Sequence, residues 1–268
     1  MFSIVKNYKI FFSITIIFLL IGFGSIVTRG FNLGIDFTGG SIVDLTFENP
    51  VNVAQVRDVL KEHDMGNSII QLENSDGKTE ANSVLIRTGV VEDTELRATM
   101  NDLQSKLGNY QIQRVEQVGA TIGSELVQQA AMAIVLSWVL MIAYITFRFE
   151  FKFAIAAIIA LIIDVLVVLS YFSLFQMEMD SSFVAALLTV VGFSINGTVV
   201  IFDRIREELR VMKRNDDLKA LVNRSITYTL TRSIYTTFTT FVMVAVLYIM
   251  GVSSIREFAA PLMVGIIC

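Results

Sequence analysis

Apolar residues gather along this chain in blocks about as long as a membrane-spanning helix, and one long polar stretch between them alternates at shorter periods. The blocks cover residues 10–27, 126–147, 153–175, 183–202 and 226–250, and a sixth starts near Phe258 and stops at Cys268. About 20 consecutive apolar residues carry a helix across a hydrocarbon core. Five spans are therefore predicted. The sixth block is too short to cross, which predicts a chain that ends inside a helix and a natural protein that continues. The first block is longer than a signal-peptide core and no small-x-small cleavage site follows it, so it reads as a retained anchor.

Residues 29–125 carry a different pattern. Val43, Leu45 and Phe47 alternate along a strand over 42–48. Pro50 and Asn52 punctuate it. Val53, Val56, Val59, Leu60 and His63 then recur at helical spacing, with Asn52 as N-cap. Residues 68–72 and 84–87 read as short strands joined by a polar turn containing Asp76-Gly77. Leu96, Met100, Leu103 and Leu107 give a second helix, and residues 110–118 alternate again. The order is βαββαβ, the ferredoxin-like arrangement. The predicted class is thus an α-helical membrane bundle with an inserted α+β domain. Its parts are residues 1–28 (N-terminus and first span), 29–125 (the inserted domain) and 126–268 (the later helices, the last one truncated).

Charge orients this layout. Lys6 and Lys9 precede the first block, and Arg148 and Lys152 lie between the second and third. Arg204, Arg206, Arg210, Lys213, Arg214, Lys219 and Arg224 lie between the fourth and fifth. The short loops on the opposite side offer only Arg256. The positive-inside rule places the N-terminus and these basic loops in the cytoplasm and residues 29–125 outside. The basic stretch 203–224 reads as an orientation signal and a solvated amphipathic segment that meets anionic lipid; nothing in it points to nucleic acid.

Composition excludes several chemistries. Cys268 is the only cysteine, so neither an intramolecular disulfide nor a cysteine zinc site is available. No Walker motif is present. His63 is the only histidine and reads as an ordinary surface or half-buried residue, and the acidic turn at 73–80 lacks the alternation of an EF-hand loop. No metal, cofactor or catalytic set is predicted.

The candidate chemistry lies inside the spans. Asp164 sits in the middle of the 153–175 block, where a charge costs about 2.5–3.5 kcal/mol on insertion scales. Arg232 lies about two turns into the 226–250 block, on one helical face with Thr236 and Thr239. Ser194, Asn196, Gly197 and Thr198 make the 183–202 block polar at its centre. One reading pairs Asp164 with Arg232, or with separate polar partners, to lock the bundle; the other makes these groups an ion or proton relay. Arg232 can also snorkel to the interface. Ala156 and Ala160 offer a small-xxx-small face for close helix approach.

Five motifs carry a resemblance: Gly34-Ile35-Asp36-Phe37-Thr38-Gly39-Gly40, Phe147-Arg148-Phe149-Glu150, Asp164-Val165, Phe202-Asp203-Arg204-Ile205-Arg206-Glu207 and Thr231-Arg232-Ser233. Over essentially the whole chain these are similar to the SecF members of the SecD/SecF protein-export family, within the RND superfamily. The resemblance implies a bacterial cytoplasmic-membrane protein with six transmembrane helices. It implies SecD, the SecYEG channel, other accessory translocase subunits and the translocating polypeptide as partners, and export assisted by the proton motive force. It assigns proton passage to the intramembrane carboxylate and arginine, here Asp164 and Arg232. In the family the fourth helix has Asn-Asp where this chain has Asn196-Gly197, and glycine exchanges no proton. Gly34, Asp36, Gly39 and Gly40 read most simply as a structural hinge, and Asp203 and Arg204 as structural members of their motif. Half of a small-molecule RND efflux transporter and a non-transporting scaffold are the alternative readings.

Overall fold

The computed structural model describes residues 4–73, 79–149, 151–212 and 217–268. The Asp76-Gly77 turn, Glu150, Lys213 and Arg214 lie outside the described residues. In chain order the elements are α1 (Tyr8–Arg29), β1 (Asn32–Leu33), α2 (Ile35–Thr38), β2 (Gly40–Asn52), α3 (Val53–Glu62), β3 (Ile69–Glu73), β4 (Glu80–Thr88), α4 (Asp93–Leu107), β5 (Tyr110–Val118), α5 (Ala120–Arg148), α6 (Phe151–Phe175), β6 (Glu178–Met179), α7 (Ser181–Val211), α8 (Leu218–Met250) and α9 (Ser253–Ile267). Two compact units divide them: Leu33–Gln129, and Met1–Asn32 with Ala130–Cys268.

In the unit Leu33–Gln129, four strands form an antiparallel sheet in the order β3-β4-β2-β5. Alternation on β2 puts Val43, Leu45 and Phe47 on the face that packs with Val56 and Leu60 of α3 and Leu96 and Leu103 of α4. Burying each such side chain stabilises the unit by about 1.5–3 kcal/mol. The Phe47 ring meets Tyr110 edge-on at 5.4 Å, and the Tyr110 hydroxyl donates to the Met100 carbonyl at 2.8 Å. The expected cap of α3 is present as a reciprocal pair. Asn52 Oδ1 accepts from the Gln55 amide at 2.9 Å, and Gln55 Oε1 accepts from the Asn52 amide at 3.0 Å.

Pro50, expected to punctuate the strand, does not end it. The pairing with β4 slips between Thr46 and Val51, and β2 passes through this irregularity to Asn52. A bulge is where a sheet tolerates proline. Asp44 lies one residue along from Val43 and Leu45, so its side chain points away from the helices, opposite Arg114 of β5. It is buried, and its Oδ1 finds no hydrogen-bond partner among the described residues. Burial pushes its carboxyl above the usual range, and the Arg114 charge pulls it partly back.

The other unit is helical. Among the described residues five helices are long and apolar enough to cross a membrane: α1, α5 (from Thr121), α6, α7 and α8. A helix satisfies its own backbone, which is why apolar runs of this length adopt it in lipid. α6 packs against α1, α7 and α9, and α7 packs in turn against α8 and α9. Its buried face is Ala154, Ala157, Leu161, Val165, Val168 and Phe172, spaced at helical repeat. Small residues join α1 to α6. Gly22 lies against Ser170, Ser25 donates to the Ser173 carbonyl at 3.1 Å, and Ser173 donates to the Gly30 carbonyl at 2.9 Å. α5 and α8 leave most of their apolar surface outside the bundle. α8 begins eight residues before the apolar block that announced it, and α9 continues through Pro261.

Candidate functional site

Asp164 lies midway along α6, half-buried on the side that meets α7. There Ser194 donates its hydroxyl to Asp164 Oδ2. Helical spacing explains the encounter: Val165 and Val168 are buried close to Asp164 along α6, and Val190, Val191 and Ile195 are buried close to Ser194 along α7. The carboxyl has polar company within the bundle, supplied by a serine and not by Arg232. Among the described residues Arg232 enters no ion pair, and it lies on an exposed face of α8.

Arg232 and Thr236 instead line a cleft of about 140 Å³ between α7 and α8, together with Asn196, Gly197, Ser233 and Thr237. A side chain at Gly197 would meet nothing within 4 Å. The cleft is open at the very position where the resemblance expects a carboxylate. Thr198 is half-buried one turn from Ser194 on α7. Five of the six intramembrane candidates thus fall into two groups on either side of α7: Asp164 with Ser194, and Asn196 with Arg232 and Thr236.

Hydroxyls on α8 are tied to their own helix. Thr229, Ser233, Thr236, Thr239 and Thr240 donate to the carbonyls of Ser225, Thr229, Arg232, Tyr235 and Thr236, at 2.9–3.2 Å. Their oxygen lone pairs remain to face the cleft or the lipid.

Two other motifs meet at the basic ends of the helices. Phe202 of α7 lies 4.9 Å from Phe153 and 6.4 Å from Phe149, centroid to centroid. Asp203 faces Arg148 at 3.7 Å, and Arg206 donates to the Arg148 carbonyl at 3.2 Å. The end of α5 and the start of α6 are thereby held to the end of α7. Arg204 turns the other way. It donates to Glu207 at 2.7 Å and to Glu208 at 2.6 Å, with its guanidinium 4.3 Å above the Tyr228 ring. Glu208, almost fully buried, also accepts from Arg224 of α8. The Arg204–Glu208 spacing of four was visible in the sequence. Arg224 and Tyr228 come from another helix, and no local signal announces them.

The glycine-rich motif makes a single helical turn, α2. Gly34 precedes α2, and the Thr38 hydroxyl and Phe37 amide both bond back to the Gly34 carbonyl at 3.1 Å. Asp36 stands in that first turn. Gly39 and Gly40 have φ of 73° and 138°, where other residues are strained. A β-carbon on Gly40 would also lie 2.4 Å from the Thr88 carbonyl oxygen. Gly34, Gly39 and Gly40 therefore shape the entry into β2.

Comparison with known proteins adds the following. A family profile described as "Protein export membrane protein SecD/SecF, C-terminal" matches residues 99–268, and one described as "SecD/SecF GG Motif" matches residues 24–51. The chain is 57% identical over 265 residues to the protein translocase subunit SecF of Acidaminococcus fermentans, covering 98% of this chain and 90% of that one. It is 38% identical to SecF of Sebaldella termitidis, covering 99% and 86%. The crystal structure of SecDF, a translocon-associated membrane protein from a Thermus species, superposes with a TM-score of 0.88 at 32% identity. That match covers 99% of this chain and 36% of the SecDF chain.

Proposed function

Because the chain belongs to the SecD/SecF family and is a SecF-type subunit of protein translocase, a transporter-like membrane protein and not an enzyme, we propose that it works beside a SecD subunit on the SecYEG channel. In this role it completes export of the translocating polypeptide with help from the proton motive force, and it contacts other accessory translocase subunits. The N-terminus and the Arg204–Arg224 cluster face the cytoplasm of a bacterial inner membrane. Residues 29–125 form an extracytoplasmic domain of the ferredoxin-like class, and residues 1–28 and 126–268 belong to a one-plus-five helix bundle of the RND type.

The observation that carries the coupled reading is Asp164, a carboxyl kept inside an apolar helix and met by Ser194 from the next. One charge moving across the membrane releases about 2.3 kcal/mol per 100 mV, enough to bias a helix rearrangement. Arg232 and the polar cleft beside Gly197 form the second element of the route. The test is export in cells that depend on this chain. Its loss accumulates unprocessed precursors of exported proteins, and Asp164→Asn reproduces that defect; normal export in both cases overturns the reading. Gly197 supports one rival, a scaffold that positions the other subunits without carrying protons. If Asp164→Asn and Arg232→Ala both export normally while loss of the chain does not, the scaffold is correct.

A further inference from the structure

The start of α1, the end of α7 and the start of α8 enclose a cavity of about 850 Å³. Its lining has two characters. Lys6, Lys219 and Arg224 supply cationic groups, and Val5, Tyr8, Val211 and Leu221 supply apolar surface. The wall also holds two acids: Glu208, paired with Arg204 and Arg224, and Asp217, which caps the Lys219 amide at 3.0 Å. The wall is also held in place. The Val5 amide donates to Asn223 Oδ1 at 3.2 Å, tying the segment before α1 to α8.

We infer that this cavity binds one anionic phospholipid, its phosphodiester seated between Lys6 and Lys219, beside the Arg224–Glu208 pair, and its glycerol and upper acyl chain against Tyr8, Val211 and Leu221. The cavity lies at the ends of three membrane-length helices, the level at which headgroups lie. Basic pockets between helices at that level take anionic headgroups. A bare phosphate ion would use only the cations. An amphiphile uses both halves of the lining, and an acidic peptide would leave the apolar half uncovered. The inference rests on α1, α7 and α8 being membrane spans. If that reading failed, the protein would leave membranes in an alkaline carbonate wash, an outcome distinct from any lipid preference.

The experiment is native mass spectrometry of the full chain in mild detergent with added dioleoyl phosphatidylglycerol or dioleoyl phosphatidylcholine. One phosphatidylglycerol is retained in preference to phosphatidylcholine. The Lys6→Gln/Lys219→Gln double variant weakens its binding about 30-fold, at the strength typical of two basic residues near an anionic surface. Lys219→Arg, which keeps the charge, retains the lipid, and Lys152→Gln, outside the cavity, changes nothing. Equal retention of the two lipids overturns the inference, as does a double variant that binds like the parent. Displacement by excess inorganic phosphate would make this a site for a bare anion, and tighter binding of a polyglutamate peptide would make it a protein site; either result overturns the lipid assignment.

Discussion

Gly22 of α1 faces Ser170 of α6 so closely that a β-carbon on the glycine would lie 2.1 Å from the serine Cβ. Ser170 is itself buried, so neither partner has room to give way. Gly22→Ala therefore forces α1 away from α6 and lowers stability by about 1–3 kcal/mol, the usual cost of overpacking. Gly24→Ala is the control, since its added carbon meets nothing within 4 Å. Thermal unfolding of the two variants in the same detergent separates them; equal midpoints would show that the close approach contributes nothing.

Ser194 is the hydrogen-bond donor to Asp164. Ser194→Ala leaves the carboxyl without that partner and costs about 1–3 kcal/mol. Asp164→Asn keeps an oxygen acceptor for the hydroxyl and is expected to unfold close to the parent while exporting poorly. The two variants thus divide stability from activity. A parent-like midpoint for Ser194→Ala would remove the serine from this role.

Gly197→Asp restores the carboxylate that the family resemblance expects, and the cleft accepts it without collision. The variant folds normally and places an acid beside Arg232. Its export becomes more sensitive to a protonophore than that of the parent. Identical protonophore sensitivity would show that the proton route does not pass through this cleft.

Phe202 joins the rings of Phe149 and Phe153 while Asp203 and Arg206 hold Arg148. Phe202→Ala is expected to lose about 1–3 kcal/mol, less than a fully buried phenylalanine because this ring is half-exposed. Limited proteolysis reads the result directly, as faster cleavage in the turn between α5 and α6. An unchanged cleavage rate would dissolve the clamp.

Asp44 makes one unit of the protein sensitive to pH. Its folded carboxyl sits above the usual range, so the folded state holds this proton more tightly than the unfolded chain does. The associated stability is fully present below the unfolded value and is lost as pH rises through the raised folded one. Asp44→Asn removes that loss. Amides of β2 and β5 are expected to exchange more slowly in the variant at neutral pH, and the advantage shrinks as pH falls toward 4, with the parent catching up. A constant difference across pH would exclude Asp44 as the cause.

Much of this was legible beforehand, for identifiable reasons. Apolar runs of spanning length have few alternatives to helix, and the alternation of Val43, Leu45 and Phe47 fixes which face of β2 is covered. Asn52 and Gln55 stand three apart, so the cap of α3 could be read locally. The start of α8 was missed because Leu218–Ser225 is amphipathic and carries no long apolar run. The site was half legible. Asp164 and Arg232 stood out by their cost in an apolar run, but their partners depend on how helices rotate against one another. Nothing within residues 153–175 says that Ser194, rather than Arg232, would answer the carboxyl.

Thr229, Ser233, Thr236, Thr239 and Thr240 of α8 give their protons to the turn preceding them. Such a helix carries its partners with it. It can slide, tilt or trade a dry neighbour for a wet one without breaking a single one of those bonds. The hydroxyls beside Arg232 would therefore stay satisfied in either surrounding.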